Sequence, residues 1–256
     1  MNHQSITPKQ QEILYLIYRY RFLNRIQIQH FLHHKHRKRI NSWLKNLTDK
    51  QIIGRKYSRK LTANNQPAIY HLATKSRNIL LERDDTSEKL LKRVYQEKLR
   101  SKRLINHCTL VADIYFWLVS KTATTDKLHF FTKADLANHY YLPYQRPDAY
   151  IAVESKDQTK RYFLEIIDPG TPRFMIRKKI SSYVEYFDEG DWYQKTSHSN
   201  PSILLVCPDE TTQTFIHRHT RQVLEEEVMD ELKFFTTTTE LIQNYQVHTN
   251  LWWQVK

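Results

Sequence analysis

The chain has 256 residues, of which 40% are hydrophobic, and its formal net charge is +13. This length allows one large domain or two small ones, and the apolar content is sufficient for buried cores. The composition excludes several classes of protein: there is no apolar run near the ~18 residues of a membrane span, no charged-then-apolar N-terminal signal, and too few glycines for a phosphate-binding loop.

The two cysteines are far apart in the sequence. They form neither a metal-binding spacing nor a disulfide framework. A reducing compartment is therefore expected, and we predict a cytoplasmic protein with no membrane partner.

The positive charge is concentrated in the first third of the chain. Residues 1–83 contain 17 Lys and Arg against 3 Asp and Glu, a net charge of +14, whereas the remaining residues contain 23 against 24, a net charge of −1. A local basic field favours a polyanionic partner, and we predict double-stranded DNA. A membrane surface is the rival partner, but the basic residues alternate with turns and do not gather on one amphipathic helix.

Two helix-start signals open the chain. Thr7 and Gln10 form a capping-box pattern with a proline in the first helical turn, and Asn24 and Gln27 form a second capping box. The spacing predicts two short helices that precede a third.

The third helix begins near His36 and is the predicted DNA-recognition element. Its apolar residues Ile40, Trp43, Leu44 and Leu47 fall at i, i+3, i+4 and i+7, which predicts one buried stripe. The opposite side carries hydrogen-bond donors. A solvated basic surface helix is the alternative interpretation.

A basic hairpin is predicted after this helix. Residues 51–57 and 68–73 are strand-like, with a polar tip over 61–67, Gly54 as a turn residue and Thr74 as the cap of a fourth helix. A donor-rich helix followed by such a hairpin is typical of a winged helix-turn-helix, in which the helix enters the major groove and the wing lies on phosphates. The predicted DNA-binding residues are Arg37, Lys38, Arg39, Asn41, Ser42, Lys45, Arg55, Lys56, Arg59 and Lys60.

A long helical stretch is predicted from Asp85 to about Ser120. Its second half carries apolar residues in a heptad rhythm, and this seam would suit either packing on the next domain or a homodimer contact. The residues of the seam are Leu104, Cys108, Val111, Tyr115 and Leu118.

Beyond about residue 128 the pattern is mixed α/β. The predicted strands are 128–132, 148–153, 161–167 and 202–207, and the predicted helices are 173–187 and 211–227. The predicted fold class is α+β: a winged helix-turn-helix domain at 1–83, a connecting helix at 84–121 and an α/β domain at 122–256.

Two carboxylates on the predicted hairpin of the second domain could carry chemistry. If the hairpin turns near residue 157, position 148 lies opposite roughly position 166, so Asp148 and Glu165 converge at one end of the sheet. Such a pair can hold Mg²⁺, which takes waters and phosphate oxygens as its other ligands. Asp168 lies just beyond, at the exit of the strand.

This pattern resembles the PD-(D/E)xK nuclease fold. In that fold an Asp and a Glu bind metal, and a lysine two residues after the Glu steadies the attacking water. Position 167 is isoleucine here, so Lys178 or Lys179 on the following helix would have to supply the lysine, as in members of the fold that relocate it. The resemblance implies Asp148, Glu165, Asp168 and Lys179 as catalytic residues, with Mg²⁺ on Asp148 and Glu165; a nuclease-like scaffold retained for packing or DNA contact is the alternative.

The order of the parts is also similar to the replication-relaxation proteins of plasmids and integrative conjugative elements of Gram-positive bacteria. The segments that carry the resemblance are INHCTLVADIYFWL, RPDAYIAV, YFLEIIDPGT and KKISSYVEYF. The positions that match the family pattern are His107, Asp148, Glu165, Asp168, Gly170, Thr171, Lys179 and Tyr183. The spacing from Glu165 to Asp168 is one residue longer than in that pattern.

The resemblance implies a DNA-binding role in plasmid replication or conjugative mobilisation, with the replication or conjugation machinery as partner. One alternative is a Mg²⁺-dependent endonuclease, a nickase that the winged helix directs to its site. Another is a transcriptional regulator. The residues alone leave open whether the chain is an enzyme.

Overall fold

The computed structural model describes residues 6–57, 66–229, 231–244 and 251–255, which form helices and two β-sheets. The chain divides into two compact units, Met1–Ala112 and Asp113–Lys256. The division falls inside the stretch 84–121 that the sequence predicts as a connecting helix. Each unit is described by itself below.

The first unit contains short helices and a small sheet. Its helices are α1 (Pro8–Tyr20), α2 (Arg25–Phe31), α3 (Arg37–Asp49), α4 (Ser76–Leu81) and α5 (Glu88–Leu91), followed by a 3-10 helix at Val94–Leu99 and the first half of α6 (Lys102–Lys121). Its strands are β1 (Phe22–Asn24), β2 (Ile53–Lys56) and β3 (Ile69–Leu72), in the antiparallel order β1-β3-β2.

Both predicted capping boxes are confirmed. The Thr7 hydroxyl accepts from the Gln10 amide, and the Gln10 side chain accepts from the Thr7 amide. Asn24 and Gln27 make the same reciprocal pair. These bonds satisfy backbone donors that have no partner inside the helix, so α1 and α2 begin at defined residues.

Gly54 is not a turn residue, as the sequence suggested, but lies inside β2 opposite His71 of β3. The His71 ring is buried, and a Cβ added at Gly54 would lie 2.3 Å from its Cε1 atom. A residue without a side chain is therefore required because the imidazole covers the backbone of the neighbouring strand.

One predicted helix start and one predicted continuous helix are wrong. Thr74 does not cap α4, which begins at Ser76 with Lys75 in the cap position. The stretch from Asp85 to Ser120 is also not one helix. It consists of α5, the 3-10 helix at Val94–Leu99 and α6. The backbone of Arg100 is extended, and α6 begins anew with the Ser101 hydroxyl accepting from the Leu104 amide at 3.3 Å. A serine that can cap allows the chain to change direction at this point.

The predicted seam of α6 packs in part within the first unit. Cys108 and Leu104 lie in a cluster with the fully buried Phe22, together with Ile69 and Ile105. These two positions are thus covered by their own unit.

The second unit is built on a six-stranded mixed sheet. Its strands are β4 (Lys127–Thr132), β5 (Ala149–Glu154), β6 (Thr159–Ile166), β7 (Ser202–Cys207), β8 (Phe234–Thr238) and β9 (Trp253–Gln254), in that spatial order. Its further helices are a 3-10 helix at Asp135–Asn138, α7 (Arg173–Asp188), α8 (Asp191–Thr196), α9 (Glu210–Glu226) and α10 (Thr239–Gln243).

The direction of the strands follows from their connections. The strands β4, β5 and β6 are antiparallel neighbours joined without a crossover, whereas β6, β7 and β8 are parallel and joined through α7 and α9. The central strand β7 is almost entirely buried, as its unbroken apolar run SILLVC predicts. Phe163, Tyr183 and Phe234 lie in the core of this unit.

Within the described residues, every helix falls short of the length and apolarity that crossing a membrane requires.

Candidate nucleic-acid interface and buried carboxylate pair

Helix α3 separates an apolar face from a polar one, as predicted. Ile40, Leu44 and Leu47 are completely buried, while Trp43 is half-buried between the His34 ring and the Arg39 guanidinium. The outward residues are Arg37, Lys38, Arg39, Asn41, Ser42 and Lys45, and all six are exposed. This face therefore presents hydrogen-bond donors to solvent.

A cleft of about 640 Å³ opens along one side of this helix. It is bounded by α3, by the start of α2 and by the strands β2 and β3 with their flanking residues. Its polar lining consists of Arg25, Arg37, Asn41, Lys45, Thr48, Arg55, Tyr57, Gln66 and Tyr70, and no carboxylate of the described chain lines it.

The charges around the cleft are of one sign. Burial and the nearby positive charge of Arg37 lower the pKa of the Arg25 guanidinium. Burial raises the pKa of the Tyr70 hydroxyl, while its hydrogen bond with Arg55 acts in the opposite direction. Converging cations without a protein counterion favour an anionic ligand.

Not every predicted DNA contact lies at this cleft. Lys56 follows Arg55 in β2 and points to the opposite face, because side chains alternate along a strand. Its ammonium group donates to the Arg100 carbonyl at 3.0 Å and lies 5.8 Å from the centre of the Phe22 ring. Arg59 and Lys60 lie outside the described residues.

Five polar residues line the cleft without having been predicted as DNA-binding residues: Arg25, Thr48, Tyr57, Gln66 and Tyr70. Arg25 is the first residue after the Asn24 cap, where a helix end offers free backbone donors. This position at the start of a helix is the feature of the sequence that could have identified Arg25 as a lining residue. Tyr70 lines the cleft because β3 pairs with β2, and no pattern in the neighbouring sequence predicts that pairing.

In the second unit, Asp148 and Glu165 are close neighbours and both are buried. The ladder of β5 and β6 pairs Ala149 with Leu164, so Asp148 lies just before the ladder and beside Glu165. The predicted register, with position 148 opposite roughly 166, was off by one residue because the hairpin turns slightly earlier than residue 157.

Asp148 is held by the backbone of the next strand. One carboxylate oxygen accepts from the Ile166 amide at 2.9 Å, and the other lies 3.6 Å from the ammonium group of Lys133. Lys133 is exposed and directly follows β4. It was not among the predicted site residues, since only the pairing of β4 with β5 brings it to Asp148.

Glu165 accepts two strong hydrogen bonds from α7. The same carboxylate oxygen lies 2.8 Å from the Lys179 ammonium group and 2.5 Å from the Tyr183 hydroxyl. Burial, with the nearby charge of Asp148, raises the pKa of Glu165 to about 6, although Lys179 and Lys133 act in the opposite direction. Glu165 is therefore a buried carboxyl group that releases its proton less readily than an ordinary glutamate does.

The other predicted site residues lie at the exit of β6 or in the first unit. Asp168 begins a turn in which the Thr171 amide donates to the Asp168 carbonyl at 3.1 Å, and Gly170 adopts a φ of +73°. His107 lies on α6 within the first unit. Among the described residues, His, Cys, Asp and Glu form no group of three that could hold a metal ion.

The fold and the two sites define a class of protein: a basic unit with a donor-lined cleft, followed by a mixed-sheet unit with a buried carboxylate pair. The model of the replication-relaxation family matches residues 14–203. The chain belongs to this family. A search of curated proteins finds no match.

The solved structures that are similar to the chain include two of the restriction endonuclease FokI. The enzyme alone has a TM-score of 0.34 at 10% identity over 94% of this chain and 45% of the FokI chain. The DNA-bound enzyme has a TM-score of 0.28 at 11% identity over 93% of this chain and 44% of the other. The chain thus covers less than half of the length of FokI.

Proposed function

We propose that this protein binds double-stranded DNA in the replication or mobilisation of a mobile genetic element. In this interpretation the first unit is a winged helix-turn-helix, α3 is its recognition helix, and β2 and β3 form the wing. The observation that carries the proposal is the cleft in which Arg37, Asn41 and Lys45 of α3 stand beside Arg25 and Arg55. Arg and Asn recognise base edges bidentately in the major groove, and Lys neutralises phosphates.

The distribution of charge supports this interpretation. Residues 1–112 contain 24 Lys and Arg against 7 Asp and Glu, a net charge of +17, whereas residues 113–256 contain 16 against 20, a net charge of −4. Membership of the replication-relaxation family agrees with a role on DNA.

The first prediction concerns the cleft. The combined substitutions Arg37→Ala, Asn41→Ala and Lys45→Ala should weaken duplex binding at least about thirty-fold, since the two lost base contacts of Arg37 and Asn41 cost about 1–3 kcal/mol each. Fluorescence anisotropy with a labelled duplex measures the affinity. Wild-type binding should also fall steeply between about 50 and 200 mM salt, because phosphate contacts release counterions.

Lys89→Ala/Lys98→Ala is the matched control, since it also removes two exposed cations of the same unit and neither lines the cleft. It should bind like the wild type. Salt-insensitive binding, or wild-type affinity in the triple variant, would defeat the proposal. A promoter-reporter response without any change in plasmid copy number or transfer would favour the transcriptional regulator instead.

A Mg²⁺-dependent nuclease is the second candidate function, and the pairing of Asp148 and Glu165 beside Lys179 favours it. Two carboxylates suit Mg²⁺, which completes its coordination with waters and phosphate oxygens. Asp148 and Glu165 would hold the ion, and the ion would stabilise the charge that develops on the phosphate. Lys179 supplies a positive charge in place of the lysine missing at position 167.

This candidate predicts divalent-metal-dependent nicking of supercoiled plasmid. Asp148→Asn should slow nicking on the order of a hundred-fold, since a metal ligand contributes several kcal/mol to the transition state. Glu154→Gln is the control, because Glu154 is an exposed carboxylate at the far end of β5. Equal nicking by Asp148→Asn and the wild type, or no nicking by the wild type with Mg²⁺ or Mn²⁺, would leave the second unit as a scaffold.

A further inference from the structure

The second unit carries a basic surface although its net charge is negative. Helices α7 and α9 pack against each other and expose Arg173, Arg177, Lys178 and Arg218. We call these four residues the α7–α9 ridge. Within the described chain, none of the four forms an ion pair with a carboxylate in spite of the acidic excess of this unit.

The parts of α7 and α9 that carry the ridge contain no acidic residue. Helix α7 has no Asp or Glu before Glu185, and α9 has none between Glu210 and Glu225. The ridge therefore combines four side-chain charges with the positive end of the α7 dipole. A surface of this kind attracts phosphates.

Two of the guanidinium groups are held in place. Arg173 and Arg177 of α7 lie 5.0 and 5.6 Å from the centre of the Phe215 ring of α9. The Phe215 ring is buried and stacks on His219. Cations held over an aromatic ring lose less side-chain freedom when they bind a phosphate than free ones do.

We propose that the α7–α9 ridge is a second DNA-binding surface, which contacts the phosphate backbone and does not read bases. The inference rests on the proposed function, because it assumes that the protein acts on DNA. The chemistry of the ridge fits a backbone partner, since it offers point charges and planar guanidinium groups without the mixed donors and acceptors of a base-reading surface.

The test is the salt dependence of duplex binding by the full chain. Each phosphate contact contributes roughly 0.9 to the slope of log affinity against log salt. Loss of two contacts in Lys178→Gln/Arg218→Gln should flatten the slope by about 1.8, which is roughly ten-fold between about 50 and 200 mM salt. Arg173→Gln/Arg177→Gln should flatten the slope by a similar amount. If the loss of the Phe215 contacts unfolds this variant, Lys178→Gln/Arg218→Gln still tests the proposal, because its residues do not contact Phe215.

Lys156→Gln/Lys160→Gln is the matched control, because it removes the same charge from exposed positions at the β5–β6 hairpin. It should keep the wild-type slope. A wild-type slope in Lys178→Gln/Arg218→Gln, or an equal loss in the control, would overturn the ridge as a DNA surface. Ridge-dependent binding to phosphatidylserine vesicles with an unchanged DNA slope would overturn it in favour of a membrane.

The proposed function and the second DNA-binding surface can be rejected separately. If the wild type does not bind duplex DNA, the proposed function falls. If the wild type binds and the cleft variant is defective while the ridge variants keep the wild-type slope, only the second surface is rejected.

Discussion

At the scale of the residue, Glu165 shows how burial changes chemistry. Its carboxyl group is enclosed by the sheet and by α7, with Asp148 on one side and Lys179 on the other. Burial penalises the charged form more than Lys179 stabilises it, so the pKa rises to about 6. Tyr183 donates to the same carboxylate, and burial raises the pKa of its hydroxyl as well. Tyr183 is therefore a neutral donor that positions Glu165.

This raised pKa makes stability depend on pH. The folded protein holds the Glu165 proton more tightly than the unfolded chain does, so the stabilisation is complete below the ordinary pKa of 4.5 and is lost as the pH rises through about 6. A difference of roughly 1.5 in pKa corresponds to about 2 kcal/mol. The free energy of unfolding of the wild type, relative to Glu165→Gln, should fall by about that amount between pH about 4.5 and 7.

Urea unfolding of both proteins across this pH range measures the difference. Glu225→Gln serves as the exposed-carboxylate control, because Glu225 lies on the exposed side of α9, and it should show no such trend relative to the wild type. A wild-type advantage over Glu165→Gln that grows with pH would contradict the assignment, because it would mean that folding lowers the pKa.

At the scale of the element, the pairing of β2 with β3 depends on a close approach. The His71 ring lies against the backbone of Gly54, and its Nδ1 is 2.8 Å from the Leu72 carbonyl. The imidazole therefore occupies the place of a side chain on the neighbouring strand. This contact fixes the base of the hairpin that we interpret as the wing.

Gly54→Ala should destabilise the protein by about 1–3 kcal/mol, since the new methyl group would overlap the buried ring. Thermal unfolding measures the loss. Gly170→Ala is the control, because nothing lies within 4 Å of its Cβ position and only its φ of +73° opposes a side chain, at a cost of about 1 kcal/mol. His71→Ala should relieve the overlap, so additive losses in Gly54→Ala/His71→Ala would contradict this explanation.

At the scale of the whole molecule, basic charge and a donor-lined cleft belong to one unit and the buried carboxylates to the other. The first unit carries +17 and the second −4. Self-repulsion destabilises a compact basic unit, and a bound polyanion relieves it. DNA should therefore act as a stabilising ligand of the protein.

Duplex DNA at about 100 times its dissociation constant should stabilise the protein by about 2.7 kcal/mol, because it binds the folded state. The unfolding temperature, followed by circular dichroism at low salt, should rise with added duplex. The Arg37→Ala/Asn41→Ala/Lys45→Ala variant should show a smaller rise at the same duplex concentration. An equal rise in both proteins would place the stabilising contact outside the cleft.

Several features could be predicted from the sequence because their causes are local. The capping boxes at Thr7 and Asn24 join residues three positions apart, and the buried stripe of α3 follows from helical spacing alone. The neighbourhood of Asp148 and Glu165 follows from a short hairpin whose two strands have alternating or apolar patterns. The place of Lys178 and Lys179 on the following helix makes both candidates for the missing lysine, and Lys179 reaches Glu165 whereas Lys178 is exposed.

Other features were decided only by the tertiary structure. Lys133 approaches Asp148 because β4 pairs with β5, Lys56 turns toward Arg100 and Phe22, and Gly54 faces a ring supplied by another strand. Each of these contacts involves a residue more than a dozen positions away in the sequence. Strand register and packing determine where that residue lies. Charge and periodicity are properties of the chain itself, whereas the environment of a side chain exists only after distant elements have packed around it.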